Sequence, residues 1–231
     1  MGIQIEGVSA GVSASGAPRA RARGLYGLIT HALGKEILVL GPSTAGKSKF
    51  TDYLRLGTLD EEGKREMTYH VRKSPAFTVG LGTNSDCVLK IRRAVDTPGQ
   101  VGPLQHATLV GRRKPHAIVV VLDCGRSALM MTTWLHLFCD RLDTVLRRGF
   151  YARRKLREII VLLNKRDKID THQFEQLHYQ VRGVLNQHLA VALGTQRVQS
   201  IPIMGCISVQ TEYGTELIDQ VIAHLGEQLV R

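Results

Sequence analysis

One stretch constrains this chain more than any other: an apolar run, a glycine-rich turn and an amphipathic run in immediate succession. Residues 36–40 (EILVL) read as a buried strand, and 49–56 (KFTDYLRL) place apolar side chains at helical spacing. Between them, Gly41-Pro42-Ser43-Thr44-Ala45-Gly46-Lys47-Ser48 matches the pattern G-x-x-x-x-G-K-[ST]. A chain that stops as a strand, turns through glycine and restarts as a helix aims several backbone N–H groups into one concavity. That concavity, at the positive end of the helix dipole, suits phosphate. Lys47 then reaches the β- and γ-phosphates, and the Ser48 hydroxyl takes one position on Mg²⁺. Lys49 carries the binding segment into the helix. The loop specifies a nucleoside triphosphate and leaves the base open.

The rest of the chain alternates two kinds of run. Residues 86–95, 116–122 and 158–163 are strand-like, as is 198–204, which Pro202 interrupts. Residues 129–148, 171–193 and 212–230 carry apolar side chains at helical spacing. This alternation predicts an α/β fold, a doubly wound, mostly parallel sheet with helices on both faces. Such sheets bind ligands at the carboxyl ends of their strands, where the glycine loop falls. With 231 residues, 43% of them hydrophobic, the chain can bury a full core. No apolar run approaches the roughly 20 residues of a membrane-spanning helix. The four cysteines are scattered without metal-ligand spacing, which reads as reduced thiols in a cytoplasmic protein. Residues 1–24, small and then basic, predict a disordered tail. Residues 25–34 predict an amphipathic helix that either packs on the domain or meets a membrane or partner. Residues 35–231 form the nucleotide-binding domain, with a long charged loop within 57–76.

Two further motifs follow strand-like runs. In Asp96-Thr97-Pro98-Gly99-Gln100, the carboxylate can hold Mg²⁺ through a water. The Gly99 N–H can meet the γ-phosphate, and Gln100 can orient an attacking water. In Asn164-Lys165-Arg166-Asp167, the Asp167 carboxylate can accept from N1–H and the exocyclic amine of guanine. Adenine offers neither donor on that edge and would leave a buried carboxylate without partners. Cys206-Ile207-Ser208 follows the last strand-like run, where a backbone N–H could meet the guanine oxygen.

In this order and at these strand ends, G-x-x-x-x-G-K-S, D-x-x-G-Q and N-K-x-D resemble the Ras-superfamily small GTPases. Residues 25–59 are most similar to the ADP-ribosylation-factor (Arf) and Arf-like family. Phe77-Thr78-Val79-Gly80 resembles that family's first switch, which implies Thr78 as a Mg²⁺ ligand beside Ser48 and Asp96. Cys206-Ile207-Ser208 is similar to its C-A-T element. The resemblance implies a GTP/GDP switch with slow hydrolysis, served by GTPase-activating and exchange proteins and read by an effector. Two features depart from the family. Thr78 lies 30 residues after Ser48 (78 − 48), longer than the usual spacing, with the excess in the charged stretch 60–72. That spacing leaves Thr83 as a second candidate ligand. Pro98 stands where Arf proteins carry glycine and some bacterial Ras-like proteins carry proline.

A net charge of +11 favours an anionic partner, whether membrane surface, nucleic acid or acidic protein. The clusters 112–114 (RRK) and 147–157 (RRGFYARRKLR) read as a solvated face, a docking surface for anionic lipid, or phosphate-backbone contacts. With only Phe150 and Tyr151 among them, a stacking platform for nucleic acid has the least support. No residue stands out as an arginine finger in cis, so a partner's arginine would accelerate hydrolysis by about 10³–10⁵. The alternative to a turning-over switch is a scaffold that holds GTP and recruits partners through its basic face.

Overall fold

The computed structural model describes residues 33–58, 72–80, 88–98, 100–207 and 212–230. Among the described residues, seven strands join in one sheet: β1 Lys35–Leu40, β2 Arg72–Lys73, β3 Phe77–Gly80, β4 Val88–Asp96, β5 Ala117–Asp123, β6 Glu158–Asn164 and β7 Ile203–Cys206. The helices are α1 Lys47–Leu56, α2 Pro103–Arg113, α3 Ala128–Arg148, α4 Phe150–Lys155, α5 Thr171–Leu193, α6 Thr195–Gln199 and α7 Glu212–Val230. The strand order is β2-β4-β1-β5-β6-β7, with β3 also paired to β4. β4, β1, β5, β6 and β7 run parallel, while β2 and β3 lie antiparallel on β4.

Strand alternation divides the core between two faces. β1 sends Leu38 and Leu40 to the face covered by α2, α3 and α5, and Ile37 and Val39 to the face covered by α1 and α7. Every residue of β5 is buried, as a strand covered on both faces requires. The doubly wound α/β sheet expected from the alternation is the one that forms. At the start of α5, the Asp170 carboxylate accepts from the Gln173 N–H at 2.8 Å, and Gln173 accepts from the Asp170 N–H at 3.2 Å. This capping box fixes the boundary that periodicity indicated.

Some boundaries differ from expectation. The expected strand 198–204 is not continuous: Val198 belongs to α6, and β7 begins at Ile203. Pro202 has no N–H for the ladder, but its carbonyl accepts from the Val161 N–H at 3.0 Å, so pairing begins just after it. The basic run 147–157 is largely helical, closing α3 and forming α4. Arg72, assigned to the charged loop, lies in β2. The tail, most of the 25–34 helix and residues 59–71 of the long loop lie outside the described residues.

Candidate functional site

The loop from Gly41 to Ser48 connects β1 to α1 as the sequence predicts. Gly41 and Gly46 have φ of 141° and 99°, in the region that favours glycine, and Thr44 joins them at 62°. A Cβ on Gly41 would lie 2.1 Å from the Val121 carbonyl oxygen, so the packing of β1 on β5 itself demands glycine there. Ala45 is buried, Ser43 half-buried and Thr44 exposed. Lys47 is buried, and its ammonium donates to the Pro42 carbonyl across the loop at 2.7 Å. Burial lowers its pKa to about 8, against a smaller opposing pull from Asp96. Lys49 follows in the first turn of α1 and is half-buried.

Asp96, buried at the carboxyl end of β4, accepts from the Ser48 hydroxyl at 2.6 Å. Thr97 fixes the approach by donating to the Val39 carbonyl at 2.9 Å. A hydroxyl and a carboxylate brought together at a phosphate loop are hard oxygen donors that fit Mg²⁺, which takes few protein ligands and keeps waters and phosphate oxygens. No cluster of three or more His, Cys, Asp or Glu side chains suited to a metal occurs among the described residues. Thr78 is not at this end. The register sets Arg72 opposite Asp96 but Thr78 opposite Lys90, six residues along β4 and about 20 Å away. The expectation that Thr78 joins Ser48 and Asp96 is therefore corrected for this conformation: antiparallel pairing carries it away from the metal end. Gln100 is exposed, and Gly99, Thr83 and Ser208 lie outside the described residues.

On the other side of the loop, Asn164 is fully buried at the end of β6. Its amide donates to the Ala45 carbonyl at 2.7 Å, and its oxygen accepts from the Cys206 thiol at 3.4 Å. One side chain thus ties the phosphate loop to both strand ends that carry the base-recognition candidates. Burial pushes the Cys206 thiol up to about 12, so it stays protonated and can donate. Lys165 adopts φ 61° and pairs with Asp123 at 2.6 Å. Asp167 is exposed, with the Lys168 ammonium 3.9 Å away, so its carboxylate is open to a ligand. Ile207 is half-buried beside Cys206.

Sequence reasoning missed three residues. Asp123, buried at the end of β5, accepts from Lys165 and from the Gly125 N–H at 3.0 Å. Arg126 donates to the Thr44 hydroxyl at 2.8 Å and lies 3.7 Å from Asp123, adding a cation at the rim of the phosphate loop. His106 on α2 is fully buried, with Nε2 3.3 Å from the Pro98 carbonyl oxygen. The one sequence signal for the first two was an acidic residue ending an all-apolar strand, with glycine and arginine just after it.

A glycine loop after β1, with Asp96 and Asn164 at the ends of strands near it in the same parallel sheet, settles the architecture. The fold is an α/β P-loop domain. It is similar to the bacterial selenocysteine-specific elongation factor EF-Sec, at 14% identity and a TM-score of 0.54, over 85% of this chain and 29% of that one. It is also similar to translation elongation factor SelB from Methanococcus maripaludis, solved with the GTP analogue GPPNHP. That match has 17% identity and a TM-score of 0.50, over 84% of this chain and 34% of the factor. The chain therefore spans about a third or less of these neighbours. No family model and no curated protein matches the sequence.

Proposed function

We propose that the chain binds guanine nucleotide and acts as a GTP-dependent switch of the Ras/Arf-like kind, with slow intrinsic hydrolysis. The observation that carries this reading is the Asn164 amide on the Ala45 carbonyl, 2.7 Å apart, which locks the segment bearing Asp167 to the phosphate loop. Asp167 then reads the guanine edge, while Lys47 and the loop N–H groups hold the phosphates. Ser48 and Asp96 hold Mg²⁺, which neutralises phosphate charge when bound. Gln100 orients the attacking water, and GTPase-activating, exchange and effector proteins act through the two switches.

Nucleotide affinities test the reading. GTP should bind at least about tenfold tighter than ATP, and Asp167→Ala should cost GTP binding at least about tenfold, as expected for a charge-assisted pair. Equal affinities, or an unaffected Asp167→Ala, would refute it. Single-turnover hydrolysis, compared between wild type and Gln100→Leu, separates a turning-over switch from a scaffold that merely holds GTP.

A separate observation supports a membrane-surface partner for a cytoplasmic protein. At the amino ends of the strands, Lys35, Arg92, Lys155 and Arg157 crowd around His116, whose pKa falls to about 4 through burial and then through these charges. Exposed Phe150 and Tyr151 sit beside them, with Arg153 and Lys114 over their rings at 6.0 and 5.4 Å. Cations already occupy a ring face of each, which favours lipid headgroups over stacked bases. Flotation with anionic vesicles, lost in 0.5 M salt, is the expected behaviour.

A further inference from the structure

The nucleotide reading does not use His106, yet its chemistry is unusual for a packing residue. It lies on the first turn of α2, fully buried. Its Nε2 is 3.3 Å from the Pro98 carbonyl oxygen; a carbonyl only accepts, so Nε2 carries the proton. That carbonyl also accepts from the Val101 N–H at 3.2 Å, so two donors converge on the segment that carries Gln100. Nδ1 is buried without a hydrogen-bond partner among the described residues. An apolar side chain would avoid that cost, so packing alone does not account for a histidine. Burial, then the charge of Lys47, holds its pKa at about 4, and the imidazole is neutral at pH 7. On its other side, the ring meets Trp134 on α3, centroids 5.6 Å apart, and Trp134 stacks on Phe138 at 5.4 Å. Trp134 is the sole tryptophan of the chain.

We propose that His106 is a positioning residue that grips the Pro98 carbonyl from within the core and couples the Gln100 segment to the Trp134–Phe138 stack. The assignment rests on the guanine-nucleotide switch reading. A segment that moves with the γ-phosphate must carry the imidazole with it or release it, and Trp134 reports either event. The link also gives nucleotide state a path to the α2–α3 side of the sheet.

The test uses the full chain. In wild type, Trp134 emission should differ between the GDP-bound protein and the protein bound to a non-hydrolysable GTP analogue. His106→Phe keeps a ring against Trp134 but removes the donor. It should bind GDP within about threefold of wild type, hydrolyse GTP roughly tenfold more slowly, and lose the nucleotide-dependent signal. His106→Gln restores a donor near Nε2 and should bring the rate back to within about threefold of wild type. A Phe variant with wild-type rate and signal, a Gln variant no better than Phe, or a wild-type signal blind to nucleotide would each overturn the assignment. Should the Phe variant fail to fold, ¹⁵N NMR of wild type decides: the Nε2–H tautomer supports the grip, and the Nδ1–H tautomer overturns it. A wild type that binds no guanine nucleotide overturns the switch reading and this assignment with it. Normal binding with unchanged turnover in the Phe variant overturns this assignment alone.

Discussion

Lys47→Met should stabilise the nucleotide-free protein while abolishing its response to nucleotide. The Lys47 ammonium sits in a site where the residue is only 5% exposed and has one carbonyl partner at 2.7 Å. Its pKa falls from 10.5 to about 8, mainly by burial. Between these values the unfolded chain holds the proton more tightly than the folded one, so the folded state gains stability as pH rises. Below about pH 8 the whole penalty is present, about 3 kcal/mol at ~1.4 kcal/mol per pH unit. Methionine is of similar length and uncharged; it removes the penalty and loses one charge-assisted hydrogen bond worth about 2 kcal/mol. The net gain at pH 7 is about 1 kcal/mol, or roughly 2–4 °C in Tm for a domain of this size. Calorimetry at pH 7, 8.5 and 10, with and without GTP and Mg²⁺, reads the effect. The variant's advantage should shrink above pH 8, and saturating GTP should reverse the order by stabilising wild type alone. A variant less stable than wild type at pH 7 without nucleotide, or a gap that ignores pH, would refute the reasoning.

Two further substitutions probe the scaffold around the loop. Asn164→Ala removes the hydrogen bonds to Ala45 and Cys206 and strips the Ala45 carbonyl of its amide donor, so urea unfolding should show a loss of about 2–3 kcal/mol. A change under about 0.5 kcal/mol would mean the tether is idle. Gly41→Ala sets a Cβ 2.1 Å from the Val121 oxygen at φ 141°, which must push β1 from β5. The expected cost exceeds about 4 kcal/mol, and a soluble variant with the wild-type Tm would show that the strands yield easily.

Local pattern carried much of the fold. The all-apolar strands β5 and β6 and the long helices α5 and α7 were legible because periodicity and capping are written within each segment. α2 leaves little periodic trace although Pro103 stands in its first turn, because its buried face is short: His106, Ala107 and Val110. The start of β7 is not legible because Val198, apolar and β-branched, packs equally well from a helix. The place of Thr78 is hidden for a different reason. A motif gives a residue's order along the chain, whereas strand register decides which end of the sheet it reaches.

The sequence alone determined the chemical vocabulary: a phosphate loop between strand and helix, Asp96 and Asn164 at the ends of apolar runs, and helices to cover both faces. These follow from backbone geometry and hydrophobic periodicity, which act over a few residues. The tertiary structure decided which groups meet. Asn164 reaches Ala45 from 119 positions away, Arg126 reaches Thr44 from 82, and Lys165 reaches Asp123 from 42. Parallel pairing brings those strand ends to one edge of the sheet, where burial lowers the pKa of Lys47 and the Pro98 carbonyl sets the tautomer of His106. Neither effect is encoded at the residue itself, because desolvation and long-range hydrogen bonds exist only once the sheet has closed around them.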